Sequence, residues 1–275
     1  MSTAEGHQHD ATRSSRLFRA LAGDAVAGFV SATLISPIVA VIDRSMVEKV
    51  SINQPLLTGM RRNGIAALTH PGCFLFGRPF GLVWALYAGT YVVANGTETL
   101  GDEFKMAAVG TVTFFTTMLV NVPLGVWKDV SYARLFAAID PNKKITSIIP
   151  KTPKSVTATF LFRDALTIFG SFTLAPGVSS LIPDHLAANP HTKAVVSQLT
   201  VPIFSQLAAS PVHLLGLDLY NRQQHIPLRT RASQIRKDLP SVTVLRCLRI
   251  IPAFGIGCVA NMEARPFFQK LFSDL

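Results

Sequence analysis

Charge is the first thing this sequence lacks. Only 15% of its 275 residues are Asp, Glu, Lys or Arg, against about 25% in a typical soluble domain. A water-soluble chain of this length needs a larger charged surface, so a soluble globular class is excluded first. Cysteine is scarce as well. Cys73, Cys247 and Cys258 are the only three. They stand singly in apolar runs without a CxxC pair, which excludes both a disulfide framework and a zinc site. Sustained alternation of apolar and polar residues is missing, which argues against strands. There is no glycine-rich phosphate loop, no HExxH, no clustered His/Cys set and no acid pair at a telling spacing. The chain is therefore not expected to be an enzyme, and no cofactor or metal is expected. Acids number 16 against 26 Lys and Arg, and the placement of that basic surplus is informative below.

What is present is apolar length. Hydrophobic residues make up 49% of the chain and the mean hydropathy is +0.35. Six runs, at 20–42, 73–95, 106–127, 158–182, 194–217 and 244–262, approach the roughly 20 helical residues that cross a bilayer core. They are rich in Gly, Ala, Ser and Thr, which let membrane helices pack closely. Ala22-Gly23 and Ala27-Gly28 in the first run are such a contact surface. The first sixteen residues are polar and lack the apolar core of a secretory signal, so 1–16 reads as an N-terminal tail and 269–275 as a C-terminal one.

The runs repeat. Arg78 (CFLFGRPFGLVWAL), Arg163 (TFLFRDALTIFGSF) and Arg249 (LRCLRIIPAFGIG) each lie in an apolar run and are 85 and 86 residues apart. Pro37, Pro123 and Pro211 are 86 and 88 residues apart, and precede those arginines by 41, 40 and 38 residues. Internal repetition leaves this kind of regularity. The expected architecture is an all-α membrane protein of six transmembrane helices in three repeats, about 17–100, 101–190 and 191–268. In each repeat one helix is kinked by a proline and the next carries an arginine.

Basic residues sort by side. The loops at 44–71, 128–157 and 218–243, extended to Arg246, hold sixteen Lys and Arg, whereas those at 96–105 and 183–193 hold two. That asymmetry orients the helices, with the long loops on the positive-inside face. It also accounts for the net charge of +10 without a nucleic-acid partner, and it would attract anionic lipid headgroups. Asn95-Gly-Thr97 matches a glycosylation sequon, a short and often coincidental motif.

The chain at this point resembles the mitochondrial carrier family over about residues 17–268. LAGDAVAGFVSATLISPIVAVID is similar to a carrier first helix, and Arg249-Ile-Ile-Pro252 to the R-x-x-P segment of the sixth. Runs such as SPVHLLGLDLYNR suggest a divergent fungal branch. The resemblance implies a pseudo-threefold fold in the mitochondrial inner membrane, with bound lipid such as cardiolipin. The family signature P-x-[DE]-x-x-[KR] is largely absent. Its acid and base places hold Val39 and Ile42, Gly125 and Lys128, and His213 and Gly216, so only Lys128 conforms. Acids recur slightly later, at Asp43, Asp129 and Asp218. With Lys128 these are candidates for a displaced, degenerate gate, the alternative being solvated helix ends.

Arg78, Arg163 and Arg249 are the candidate substrate-binding residues. An arginine inside a membrane span faces a cavity or a partner, and its guanidinium suits carboxylate and phosphate. Snorkelling is the alternative for Arg78, about 8 Å deep in its run at 1.5 Å per residue, and Asp164 is a local partner for Arg163. Asp24 reads equally as pore-facing or interfacial, and His213 as a proton acceptor or a hydrogen-bonding residue within the bundle. The expected function is transport of a small anionic metabolite or nucleotide through a central cavity. The alternative is a carrier-fold protein that no longer transports, a scaffold or insertion factor in the outer membrane.

Overall fold

The computed structural model describes residues 2–137, 153–187, 189–224 and 226–274. Every regular element among them is helical: α1 Ser2–Ile52, α2 Leu56–Thr69, α3 Pro71–Leu75, α4 Arg78–Glu103, α5 Val109–Ala137, α6 Lys154–Ile168, α7 Ala175–Leu181, α8 Pro190–Asn221, α9 Leu228–Ile250 and α10 Gly257–Ser273. Two π-helical stretches, Phe169–Leu174 and Ile251–Ile256, join α6 to α7 and α9 to α10. The polar stretch at the N-terminus continues α1, and α10 runs through most of the C-terminal one. Lys143, Lys144 and Lys151 of the second long loop lie outside the described residues.

The distribution of polarity is inverted relative to a water-soluble protein. Phe29, Leu34 and Ile38 of α1, Phe115 and Leu119 of α5, and Val259 and Met262 of α10 are exposed. Asp24, Asp43, Lys128, Asp129, Arg163, His213 and Arg246 are buried. Side chains such as Asp and Lys are almost never fully buried in soluble domains unless paired, and a continuous apolar exterior marks a surface that meets lipid. Four stretches, Arg13–Ile52, Val109–Leu135, Thr200–Asn221 and Leu228–Ser273, are long and apolar enough to cross a membrane. The other two runs expected to do so are helical but broken. The run at 73–95 is divided at Phe76-Gly77, between α3 and α4, and the run at 158–182 passes through the first π-helical stretch.

The helices pack in chain order and close on themselves. α1 lies against α4, α4 against α5, α5 against α6, α6 and α7 against α8, α8 against α9, and α10 returns to α1. Apolar clusters fill three of the junctions. Ile35, Val39, Val83 and Tyr132 pack between α1, α4 and α5. Val126, Phe160 and Leu217 pack between α5, α6 and α8. Met46, Leu214 and Leu245 pack between α1, α8 and α9.

Small residues set the closest approaches, as expected from the first run. A Cβ on Gly23 would lie 2.8 Å from the Gln269 backbone in α10, and one on Gly28 would lie 3.0 Å from the Val92 backbone nitrogen in α4. Ser31, Ser36 and Ser45 return their hydroxyls to carbonyls four residues back at 2.8, 2.6 and 2.7 Å, so these buried polar groups are satisfied inside the helix.

Pro37, Pro123 and Pro211 each lie within a continuous helix, α1, α5 and α8. Lacking an N–H, each removes the bond to the carbonyl four residues before it. In the π-helical stretches the ladder widens: the Ala175 N–H donates to the Gly170 carbonyl, and that of Gly257 to Pro252. Such widened turns recur at functional sites. These two follow Arg163 and Arg249 closely along the chain.

Candidate functional site

Five elements send charged or titratable side chains to one buried cluster. From α1 comes Asp43; from α5, Lys128 and Asp129; from α6, Arg163 and Asp164; from α8, His213; and from α9, Arg246 and Arg249. Lys128 Nζ lies 2.6 Å from Asp43 Oδ2 and 2.8 Å from Asp129 Oδ1. Arg163 donates to Asp129 Oδ2, to Asp164 Oδ1 at 2.6 Å and to His213 Nδ1 at 2.9 Å. Arg249 closes the chain on Asp43 Oδ1 at 3.2 Å. Aromatic rings line it: Lys128 Nζ sits 5.5 Å from the centre of Tyr132, and the Arg163 guanidinium 5.3 Å from that of Phe160. The Tyr132 hydroxyl ties the cluster to α4 by donating to the Pro79 carbonyl at 2.9 Å.

Several of these groups retain unused hydrogen-bonding capacity. Arg246 Nε and Nη1, Arg163 Nε, His213 Nε2 and Asp164 Oδ2 are buried without a partner among the described residues. Arg246 lies within electrostatic range of Arg163, Arg249, Asp129 and Asp164. Among the described residues three carboxylates, Asp43, Asp129 and Asp164, stand against four cations, Lys128, Arg163, Arg246 and Arg249, so the cluster is one negative charge short.

A second polar cluster lies nearer the other end of α1, nineteen residues before Asp43, or about 28 Å along the helix axis. Asp24 accepts from Arg265 Nε at 2.8 Å and from Gln269 Nε2 at 2.7 Å, and also from Thr99. Arg265 further reaches Glu98 and, at 3.0 Å, the Asn95 carbonyl. The side-chain amides of Asn95 and Asn261 each donate a hydrogen bond to the other's Oδ1, at 2.9 and 2.8 Å. This cluster joins only α1, α4 and α10. Asn95 is buried, which removes the sequon as a glycan acceptor.

Beyond the first cluster, on its long-loop side, Glu48 holds Arg62 at 2.8 Å and Asn63 at 3.0 Å, fixing α2 on α1. Asp218 is paired with Arg222 at 2.5 Å and with Arg231. A small cavity of about 50 Å³ opens beside it, between α1, α8 and α9. In the exposed turn between α7 and α8, the Lys193 ammonium bound to Asp184 holds that carboxyl below its ordinary range.

Of the residues expected to carry function, Arg163 and Arg249 meet in the cluster, and three of the four gate candidates, Asp43, Lys128 and Asp129, are there with them. Asp218 is not; it serves the α8–α9 connection. Arg78 is exposed in the first turn of α4, outside the cluster. Arg246, which by sequence closes the third long basic loop, joins the cluster as well. Its signal was its position three residues before Arg249, on the same face of a helix. Asp164 does pair with Arg163, and His213 hydrogen-bonds within the bundle.

Among protein-family models, one described as the probable citrulline exporter family matches residues 27–269. No curated protein and no solved structure matches. The match corrects the resemblance to the mitochondrial carrier family, which the chain does not join. The shared traits were repeat length and proline spacing, whereas the carrier signature was missing at five of six charged places. The described family is one of exporters, so the chain is a multi-pass membrane protein of transport type and not an enzyme.

Proposed function

This chain belongs to the probable citrulline exporter family, and we propose that it exports citrulline or a similarly small amino acid across its membrane through the centre of the helical ring. The observation that carries this reading is the buried charge cluster. Charged groups within a membrane protein are costly and mark solute paths, and this cluster draws on α1, α5, α6, α8 and α9 inside an apolar exterior. In this reading Asp43–Lys128–Asp129–Arg163 and Arg249–Asp43 form a gate at the long-loop end, and Arg163 and Arg249 belong to the solute path. The anionic solute expected from the arginines narrows to the carboxylate of an amino acid.

The reading includes six spans, α1, α4, α5, α6–α7, α8 and α9–α10, arranged as three repeated pairs. Repeat-built transporters place their site where the repeats meet. The spacing of Pro37, Pro123 and Pro211 and the three apolar clusters at helix junctions support this arrangement. The prolines are the bending points, since each helix lacks one ladder bond there. The long, basic loops face the inside of the compartment from which solute is taken.

Purified protein in liposomes loaded with labelled citrulline, ornithine, glutamate or phosphate tests the proposal. Saturable citrulline efflux, reduced in Asp43→Asn and Arg163→Gln, is expected. Efflux no faster than from protein-free liposomes for every solute overturns it and returns the non-transporting reading.

A further inference from the structure

We propose that Arg246, His213 and Asp164 form a receptor for the zwitterionic head of an α-amino acid, with the carboxylate on Arg246 and His213 and the ammonium on Asp164. This rests on the export reading and gives it a recognition site. Arg246 is 5% exposed and His213 is 1% exposed, yet two guanidinium nitrogens of the first and Nε2 of the second have no partner. A buried cation without an acceptor is among the costliest groups a protein can hold, and in lipid no water offsets it.

The hydrogen-bond directions are consistent with one ligand. Arg163 is always a donor, so His213 Nδ1 accepts from it, and the neutral imidazole carries its proton on Nε2. The unpartnered groups of Arg246 and His213 are therefore donors. Asp164 spends Oδ1 on Arg163 and leaves Oδ2 free, which is an acceptor. Arg163 bonds both His213 and Asp164, and Arg246 lies within electrostatic range of the two. An anion alone would answer the donors and leave Asp164 Oδ2 unanswered. A primary amine alone would do the reverse. A carboxylate and an ammonium held one carbon apart answer both, and guanidinium–carboxylate contact is among the stronger charge-assisted bonds.

Space beside the acceptor comes from a glycine. A Cβ on Gly125 of α5 would lie 3.2 Å from Asp164 Oδ2, so any larger residue would cover the oxygen that takes the ammonium. Ser210, one turn before His213 on α8, adds a buried hydroxyl without a partner. Arg163, bound to Asp164 within α6, also reaches Asp129 of α5, so a ligand ammonium on Asp164 lies beside the pair that joins α6 to the gate.

The test uses the full-length protein in detergent, with melting temperature and citrulline affinity as readouts. Citrulline is compared with N-acetylcitrulline, which has no ammonium, and citrullinamide, which has no carboxylate. Citrulline should raise the melting temperature and each capped form should bind about 10–100-fold more weakly, the scale of one charge-assisted hydrogen bond. Arg246→Met should melt above the wild type without ligand, because an unpaired buried charge is gone, and should lose the citrulline shift. A purely structural Arg246 predicts the opposite, a lower melting temperature with the shift retained. Gly125→Ala provides a second variant should Arg246→Met fail to fold: it should weaken citrulline more than N-acetylcitrulline.

Equal binding of citrulline and its capped forms overturns the proposal, as does an unchanged citrulline shift in Arg246→Met or no shift in the wild type. Citrulline efflux from liposomes in the same preparation separates the outcomes. Efflux that persists with Arg246→Met refutes this site while leaving export standing.

Discussion

Lys128 is the joint on which the buried cluster turns, and its removal can be given a magnitude. Its ammonium lies 2.6 Å from Asp43 Oδ2 and 2.8 Å from Asp129 Oδ1, with the side chain 2% exposed. A charge-assisted hydrogen bond contributes roughly 1.5–3 kcal/mol net, and breaking a buried pair typically costs about 3–5 kcal/mol because the partner is left uncompensated. Here neither carboxylate is orphaned. Asp43 keeps Arg249 at 3.2 Å and Asp129 keeps Arg163, so Lys128→Met should fall near 3 kcal/mol, at the low end of that range. Asp43→Asn removes the charge with which both Lys128 and Arg249 pair and should cost about as much. Because the two variants delete one shared bond, the double variant should be less damaged than the sum of the singles by about 1.5–3 kcal/mol. Unfolding free energies of the four proteins, measured in mixed micelles by titration with a denaturing detergent, give this coupling directly. A coupling below about 0.5 kcal/mol, the level of an exposed ion pair, would refute the burial and bonding on which the gate rests.

Other substitutions address the frame around the cluster. Gly23→Ala pushes a methyl to 2.8 Å from the Gln269 backbone, where no side chain can yield, and should cost about 1–3 kcal/mol in the same titration. Gly64→Ala on α2 meets nothing within 4 Å and should instead stabilise by about 0.4–1 kcal/mol. Asp24→Asn leaves Arg265 with Glu98 as its carboxylate partner and should lower stability by about 1.5–3 kcal/mol. Arg265→Lys should mimic that loss, since an ammonium cannot reach Asp24, Glu98 and the Asn95 carbonyl as the guanidinium does. Arg78→Gln should shift stability by less than about 0.5 kcal/mol; a loss of several times that would place Arg78 inside the bundle.

Much of the frame was legible in the sequence because it depends on local quantities. Each of the six apolar runs is helical over most of its length, and Gly23 and Gly28 do meet neighbouring helices. The interruptions were not legible, since whether a turn widens to a π-helix depends on what it packs against. Among the described residues four stretches rather than six pass on length and apolarity alone. In the cluster, the sequence exposed Asp43, Lys128, Asp129, Arg163 and Arg249 as charges at the ends or middles of apolar runs. It could not say which pair, because every ion pair linking Asp43, Asp129 and Arg163 to another helix spans 34 residues or more. Arg246 was lost among the loop arginines because basic residues from Arg229 to Lys237 precede it. The carrier resemblance failed for a related reason: proline and arginine spacing reports helix pairs of a given length, whereas the residues at 39, 42, 125, 213 and 216 report the gate, and those differed.

The most direct test of the account holds the long-loop end shut during transport. Lys49 Nζ of α1 and Asp238 Oδ1 of α9 are 3.9 Å apart on that side of the cluster. A Lys49→Cys/Asp238→Cys protein, in a background without Cys73, Cys247 and Cys258, can be bridged by a short, reducible bifunctional thiol reagent. Citrulline efflux from liposomes is then followed before bridging, after bridging and after reduction. The account predicts efflux before bridging, its loss on bridging and its return on release. Efflux that continues through the bridged protein, or none in the unbridged one, contradicts it.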